Sequence, residues 1–110
     1  MAYSSSALDR SFNALSHPAR RRLLEVLTTG PASVGEASHG LGLSKAAITK
    51  HVHVLEEAGL VNRTVEGRRH RLALVQPQLD EPVRWLDRQR RLWESKLDTI
   101  EAMLEEERRP

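Results

Sequence analysis

The chain has 110 residues, no cysteine, only four aromatic residues and a formal net charge of +2. This length suits a single domain with one hydrophobic core. The lack of cysteine excludes disulfides, thiolate metal sites and cysteine nucleophiles. No apolar run is long enough to span a bilayer, and the N-terminus has no signal-peptide pattern. We therefore predict a cytoplasmic protein with no membrane partner.

The charge is distributed unevenly along the chain. Residues 1–75 carry ten Lys or Arg against six Asp or Glu, whereas residues 76–110 carry seven against nine. Within the first part, residues 44–71 have a net charge of +3 and contain three of the five histidines. A basic middle and an acidic tail predict a polyanion-binding surface that is separate from a second role.

Two helices are predicted in the N-terminal third, after a flexible segment at 1–6. The first is short and amphipathic. The second is predicted from Ala19 to about Thr28, directly after Pro18, because proline favours the first turn of a helix. The run from Arg20 to Arg22 on the second helix is interpreted as a solvated face, with phosphate contact as the alternative. The apolar residues of the first helix are Leu8, Phe12 and Leu15.

Residues 33–58 have the pattern of a helix-turn-helix. A capping box from Ser33 to Glu36 starts one helix, and Ser44 is a good N-cap for a second helix that ends near Ala58. The second helix has an apolar inner stripe and an outer stripe of small and basic residues. Small residues allow close approach to base edges, and basic residues neutralise phosphate. The outer stripe consists of Lys45, Ala46, Thr49, Lys50 and His53.

A β-hairpin is predicted at 60–75, where apolar residues alternate with polar residues on either side of a glycine-containing turn. Arg63 lies in its first strand, and Arg68 and Arg69 lie at its tip. A hairpin tip with two arginines can reach phosphates or an adjacent minor groove. This hairpin would form the wing of a winged helix-turn-helix.

A long helix is predicted at 79–106 from apolar residues that recur every three or four positions, with Arg90 as the only polar member. Such a stripe either packs on the helix's own domain or is buried against a second copy of the chain. We favour the second copy, because the stripe is longer than a small domain needs. The stripe consists of Leu79, Val83, Leu86, Trp93, Leu97, Ile100 and Leu104.

Three segments carry a family resemblance, namely residues 16–27, 42–61 and 67–72. They resemble the second helix, the recognition segment and the wing of ArsR/SmtB-type winged-helix regulators. The resemblance covers nearly the whole chain, as one winged helix-turn-helix domain over 1–110. It implies a mostly α-helical bacterial protein with a small β-hairpin and with N- and C-terminal dimerisation helices. It also implies a homodimer that binds a pseudo-palindromic operator in double-stranded DNA, most often as a repressor and in some cases as an activator.

The resemblance also assigns residues to two surfaces. His51 lies at the edge of the inner stripe, so a structural or phosphate-bonding role is expected for it rather than base contact. The expected DNA-binding residues are Ser44, Lys45, Ala46, Thr49, Lys50, His51, His53, Arg63, Arg68 and Arg69. The expected dimer interface consists of Leu8, Phe12, Leu15, Leu79, Val83, Leu86, Trp93, Leu97, Ile100 and Leu104.

The chain departs from the metal-sensing members that it resembles. Their cysteine pair is missing from residues 33–41, and residues 76–110 contain no histidine. We therefore predict no metal and no cofactor, although a site built from carboxylates with His17 or His39 stays open, and the effector is unknown. An enzyme is disfavoured, because there is no phosphate-binding glycine loop and no nucleophile motif. A protein-interaction module with little or no DNA binding is the remaining alternative.

Overall fold

The computed structural model describes residues 6–109, which divide into two compact units with the division after Asp80. The first unit contains four helices, a small sheet and a 3-10 turn, and the second consists of one long helix. The elements in chain order are α1 (Ser6–Leu15), α2 (Pro18–Leu27), β1 (Ala32–Ser33), α3 (Val34–Ala37), α4 (Lys45–Glu57), β2 (Val61–Glu66), β3 (Arg69–Leu74), the 3-10 turn (Gln76–Leu79) and α5 (Asp80–Arg108).

Helices α1 and α2 lie close to their predicted positions. Pro18 is the first residue of α2, and the Nδ1 atom of His17 caps the helix by accepting a hydrogen bond from the Ala19 N–H at 3.1 Å. Ser6 is already helical, which corrects the predicted flexible segment at its last residue. The remainder of that segment, residues 1–5, lies outside the described residues.

The capping signals at 33–44 form as predicted. The Ser33 hydroxyl accepts from the Glu36 N–H at 3.1 Å and donates to the Glu36 carboxylate at 2.8 Å, and the Ser44 hydroxyl accepts from the Ala47 N–H at 3.1 Å. The glycines at 40 and 42 predict the end of the helix that starts at Ser33, but α3 already ends at Ala37, where the Ser38 side chain donates to the Val34 carbonyl at 2.7 Å.

The predicted hairpin is confirmed as β2 and β3, which are antiparallel with Val61 opposite Leu74 and Glu66 opposite Arg69. The connection is a two-residue turn that begins with Gly67, whose φ of 61° suits a hairpin turn and disfavours other residues. The sheet has a third strand that the sequence did not indicate. Strand β1 pairs with the outer side of β3, with Ala32 opposite Leu72.

The core of the first unit lies between the helices and the sheet. Four leucines and one valine there are fully buried, and the inner face of α4 supplies two of the five. Because interiors are close-packed, this burial fixes the rotation of α4 about its axis and thereby the set of residues that it exposes. The five residues are Leu23, Val52, Leu55, Leu60 and Leu72.

Helix α5 has 29 residues and is therefore about 43 Å long. Six of its predicted interface residues, which we call the α5 stripe, are between 46% and 68% exposed. No helix in the described part of the chain is long and apolar enough to cross a membrane. The α5 stripe consists of Val83, Leu86, Trp93, Leu97, Ile100 and Leu104.

Candidate nucleic-acid interface

One face of α4 is in the core and the opposite face is exposed, as the two stripes in the sequence predicted. Ile48, Val52 and Leu55 are buried. The residues expected to face DNA from this helix and its cap are exposed, and none of them is larger than histidine or lysine. They are Ser44, Lys45, Ala46, Thr49, Lys50 and His53.

Two side chains on this face already have partners on α4 itself. The Thr49 hydroxyl donates to the Lys45 carbonyl at 2.9 Å, so the Thr49 oxygen is left as an acceptor. The Nε2 atom of His53 lies 3.0 Å from a carboxylate oxygen of Glu57, and both side chains are exposed. The Lys45 and Lys50 ammonium groups are thus the main cationic groups that the helix presents.

The wing and the start of α4 border a groove of about 490 Å³, which we call the basic groove. It brings together three arginines, a lysine and a histidine from β2, β3, the hairpin turn and α4. No carboxylate is among the described side chains that line it. Its lining residues are Ser33, Val34, Gly35, Lys45, Thr49, Arg63, Arg68, Arg69 and His70.

Arg63 is held in the wall of this groove by two partners. Its guanidinium donates to both carboxylate oxygens of Glu56, at 2.6 and 3.3 Å, and lies 3.0 Å from the Nδ1 atom of His70. Charge-assisted hydrogen bonds from a guanidinium to both oxygens of a carboxylate are short and directional. Arg63 therefore ties the end of α4 to both strands of the wing. Neither Glu56 nor His70 was among the predicted site residues, because a sequence does not show which strand residue will meet a helix end.

A capping carboxylate lies close to the base of the wing. The Ser33 side chain and backbone N–H both donate to Glu36 and lower its pKa, and the charges of Arg69 and Arg71 lower it further. Glu36 is therefore ionised at neutral pH and attracts the arginines of β3.

His51 is the predicted DNA-facing residue whose side chain does not lie on the exposed face. Only 9% of it is exposed, and its Nδ1 atom lies 3.2 Å from the Arg20 guanidinium. Burial lowers its pKa, and the neighbouring His17, Arg20 and Lys50 lower it further. The structural role that was expected for His51 agrees with this position.

The interpretation of the arginine run as a solvated face is wrong at Arg20. Its side chain is 9% exposed and donates hydrogen bonds within the first unit, whereas Arg21 and Arg22 are exposed. Arg20 lies three, four and seven residues before Leu23, Leu24 and Leu27. This spacing places it on the buried face of the helix and was the available signal.

The expected dimer residues fall in two places. In α1, Leu8, Phe12 and Leu15 are partly buried, whereas the α5 stripe and Leu79 are exposed. Their assignment to a dimer interface stays a prediction. Among residues 6–109, no three acidic or histidine side chains are grouped so that they could hold a metal ion.

The three-stranded sheet, the capped helix pair and the arginine-bearing hairpin together define a winged helix-turn-helix protein. A family model described as a helix-turn-helix domain matches residues 15–64. A crystal structure of an ArsR family transcriptional regulator is 33% identical in sequence, with a TM-score of 0.75, over 80% of this chain and 97% of that one. An ArsR-like regulator from Rhodococcus sp. RHA1 is 30% identical, with a TM-score of 0.74, over 89% and 92%. The chain belongs to the ArsR family of winged helix-turn-helix transcriptional regulators.

Two curated relatives agree with this assignment. The transcriptional regulator CmtR of Mycobacterium tuberculosis is 39% identical over 74 residues, which are 67% of this chain but only 63% of the relative. The transcriptional repressor SdpR of Bacillus subtilis is 25% identical over 79 residues, which are 72% of this chain and 88% of the relative. Both relatives are named as transcriptional regulators, which agrees with the prediction that the chain is not an enzyme.

Proposed function

We propose that this chain is a homodimeric repressor that binds a pseudo-palindromic operator in double-stranded DNA. One observation carries the proposal. From Lys45 to His53, the exposed face of α4 has only small, polar and basic side chains beside the basic groove, while the opposite face of the same helix is locked in the core. A DNA-reading helix needs a rigid mount of this kind together with a face that fits the major groove.

The proposed docking places the N-terminal half of α4 in the major groove. Ser44, Ala46 and Thr49 are short enough for the backbone to approach base edges, and Lys45 and Lys50 reach the flanking phosphates. Arg68 and Arg69 extend from the wing towards the backbone or the adjacent minor groove. Arg63 supports the wing through Glu56 in this arrangement.

The α5 stripe supports a homodimer. Six large apolar side chains are exposed along one helix, and contiguous exposed apolar surface of this extent is uncommon on a monomer. A second copy of α5 offers a matching surface, because a two-fold dimer interface brings the same patch of both chains together. A dimer of reading helices in turn requires an operator with two half-sites. The relative SdpR is named as a repressor, which favours repression over activation.

A salt series with a duplex selected from a random library tests this proposal. If four cations of each protomer contact phosphate, eight counterions leave the DNA, and the slope of log affinity against log salt is about −7. Affinity then falls by roughly four orders of magnitude between about 50 and 200 mM salt. A footprint on the same duplex should have two half-sites about 34–36 Å apart, or a multiple of that. Failure to select any duplex at low salt would contradict DNA binding and favour the protein-interaction module.

A further inference from the structure

Arg20 connects α1 to α4 through the interior of the first unit. Its Nε donates to the Ala14 carbonyl at 2.9 Å, and one terminal nitrogen donates to the Asn13 carbonyl at 2.8 Å and to the Ser16 hydroxyl at 3.3 Å. The other terminal nitrogen lies 3.2 Å from the Nδ1 atom of His51, in the middle of α4. The guanidinium fork thus joins the end of an expected dimerisation helix to the helix that carries the DNA-facing residues.

This contact determines the protonation of His51. A guanidinium has only donors, so the Nδ1 atom of His51 must offer a lone pair, and its single ring proton lies on Nε2. A second proton on Nδ1 would direct two N–H groups at each other and place two cations side by side in a buried position. The contact therefore exists only with the neutral form of His51.

The surroundings of His51 oppose its protonation. Arg20 and the ring of His17, whose centroid lies 4.3 Å from that of His51, face it from α2 and its cap, and Lys50 acts on it from α4. The cluster also receives two backbone carbonyls from α1 and the Ser16 hydroxyl from the residue that follows α1. Strand β2 also packs on α4, and its Arg63 is bound to Glu56. No carboxylate is among the described groups that act on His51.

We propose that Arg20 and His51 are positioning residues that hold α4 for DNA binding only while His51 is neutral, so that proton uptake at His51 releases α4 and weakens operator binding. This inference rests on the proposed function, because it concerns the same interface. The sign follows from linkage. Burial and the nearby cations place the pKa of His51 below its value in an unfolded chain. The contribution of the contact is therefore complete above the unfolded value and is lost as the pH falls through the lowered pKa.

Protonation of the exposed histidines has the opposite effect. His53 lies on the exposed face of α4 and His70 lines the basic groove, so a positive charge on either would strengthen the attraction to phosphate. A loss of operator affinity in acid is therefore expected from a buried histidine such as His51 and not from the exposed ones. It is measured against a variant that keeps both exposed histidines.

His51→Asn is the matched variant, since the Asn Oδ1 atom can accept the Arg20 hydrogen bond in place of Nδ1 and does not titrate. Because His51 is among the expected DNA-binding residues, the operator affinity of each protein is compared with its own value near pH 7.5. As the pH falls through the lowered pKa of His51, over the range in which both proteins stay folded, the wild-type protein should weaken relative to the variant by up to about tenfold per pH unit. Parallel pH profiles of the two proteins would overturn the proposal.

A second measurement needs no DNA. Imidazole nitrogen NMR of the wild-type protein should give the Nε2–H tautomer for His51 near neutral pH and a titration midpoint below that of a histidine in an unfolded chain. Arg20→Gln removes the adjacent cation and should raise the His51 midpoint. An Nδ1–H tautomer, or a His51 midpoint above that of a histidine in an unfolded chain, would overturn the pairing. Failure of the wild-type protein to bind any duplex near pH 7.5 would instead reject the proposed function, and the NMR titration would still decide the state of the pair.

Discussion

The basic groove and the α5 stripe are both exposed, but water solvates the charged groups of the groove well and the apolar side chains of the stripe poorly. Charged groups such as Lys45 and Arg68 are well solvated, so the groove is stable as it stands and gains a partner only when phosphates replace its counterions. The α5 stripe has six large apolar side chains in water, and burying each one fully contributes about 1.5–3 kcal/mol. The groove is therefore stable without DNA, whereas the exposed stripe favours the proposed dimer.

The largest effect is expected when a charged residue is placed in the α5 stripe. Leu97→Glu should separate the proposed dimer, because it would bury a carboxylate at the interface without a partner. Loss of the second half-site contact should lower operator affinity by at least about 100-fold, since linked binding sites gain 10²–10⁴ in avidity. Analytical ultracentrifugation measures the first effect, and fluorescence anisotropy with labelled operator measures the second.

The matched control for this variant is Ser95→Glu, which adds the same charge to an exposed residue of α5 outside the stripe. It should leave both sedimentation and operator affinity unchanged. A Leu97→Glu protein that stays dimeric would mean that the stripe is not the interface between copies, and the proposed homodimer would then need a different surface.

A smaller effect is expected from one cation on the reading face. Lys50→Ala should weaken operator binding by about 5- to 20-fold and should reduce the steepness of the salt dependence, because each protomer loses a phosphate contact. The fold should be unchanged, since the Lys50 side chain is exposed. Anisotropy titrations at several salt concentrations measure both quantities.

Lys96→Ala removes the same charge from α5 and serves as its control. If DNA responded only to net charge, the two variants would weaken binding equally and the assignment of α4 as the reading helix would be wrong. A selective effect at Lys50 would instead locate the DNA on the exposed face of α4, which adjoins the basic groove, and sharpen the contrast with the stripe.

The sequence predicted much of this arrangement because the decisive signals are local. Capping at Ser33 and Ser44, the glycine turn at Gly67 and the two faces of α4 all depend on residues within a few positions of one another. Strand β1 was missed because two residues carry no periodicity, and its partner Leu72 lies forty positions away.

The missed side chains show where local patterns fail. The contact of Arg20 with His51 and that of Glu56 with Arg63 each join different elements, and both arise only when α4 packs into the first unit. A charged side chain in sequence is expected to be solvated, and the fold supplies the carbonyls, imidazole or carboxylate that hold it inside or in a groove wall. Arg20 is an exception in one respect, because the helix periodicity of α2 is enough to place it on the buried face.

The smallest effect is expected for Glu56, which supports Arg63 in the wall of the groove and does not itself contact DNA in the proposed arrangement. Glu56→Gln keeps one acceptor for Arg63 but removes the charge that holds the guanidinium, with both side chains about one quarter exposed. Partly exposed ion pairs contribute about 1 kcal/mol or less, so thermal unfolding should change little and operator affinity should fall by only about two- to fivefold.

Released Arg63 could instead bind phosphate directly, in which case anisotropy would detect tighter rather than weaker binding. Tighter binding would contradict the supporting role assigned to Arg63 and would restore it as a DNA contact. The matched control is Glu57→Gln, which removes the same charge from the next residue of α4, where the carboxylate meets His53 instead of the wing.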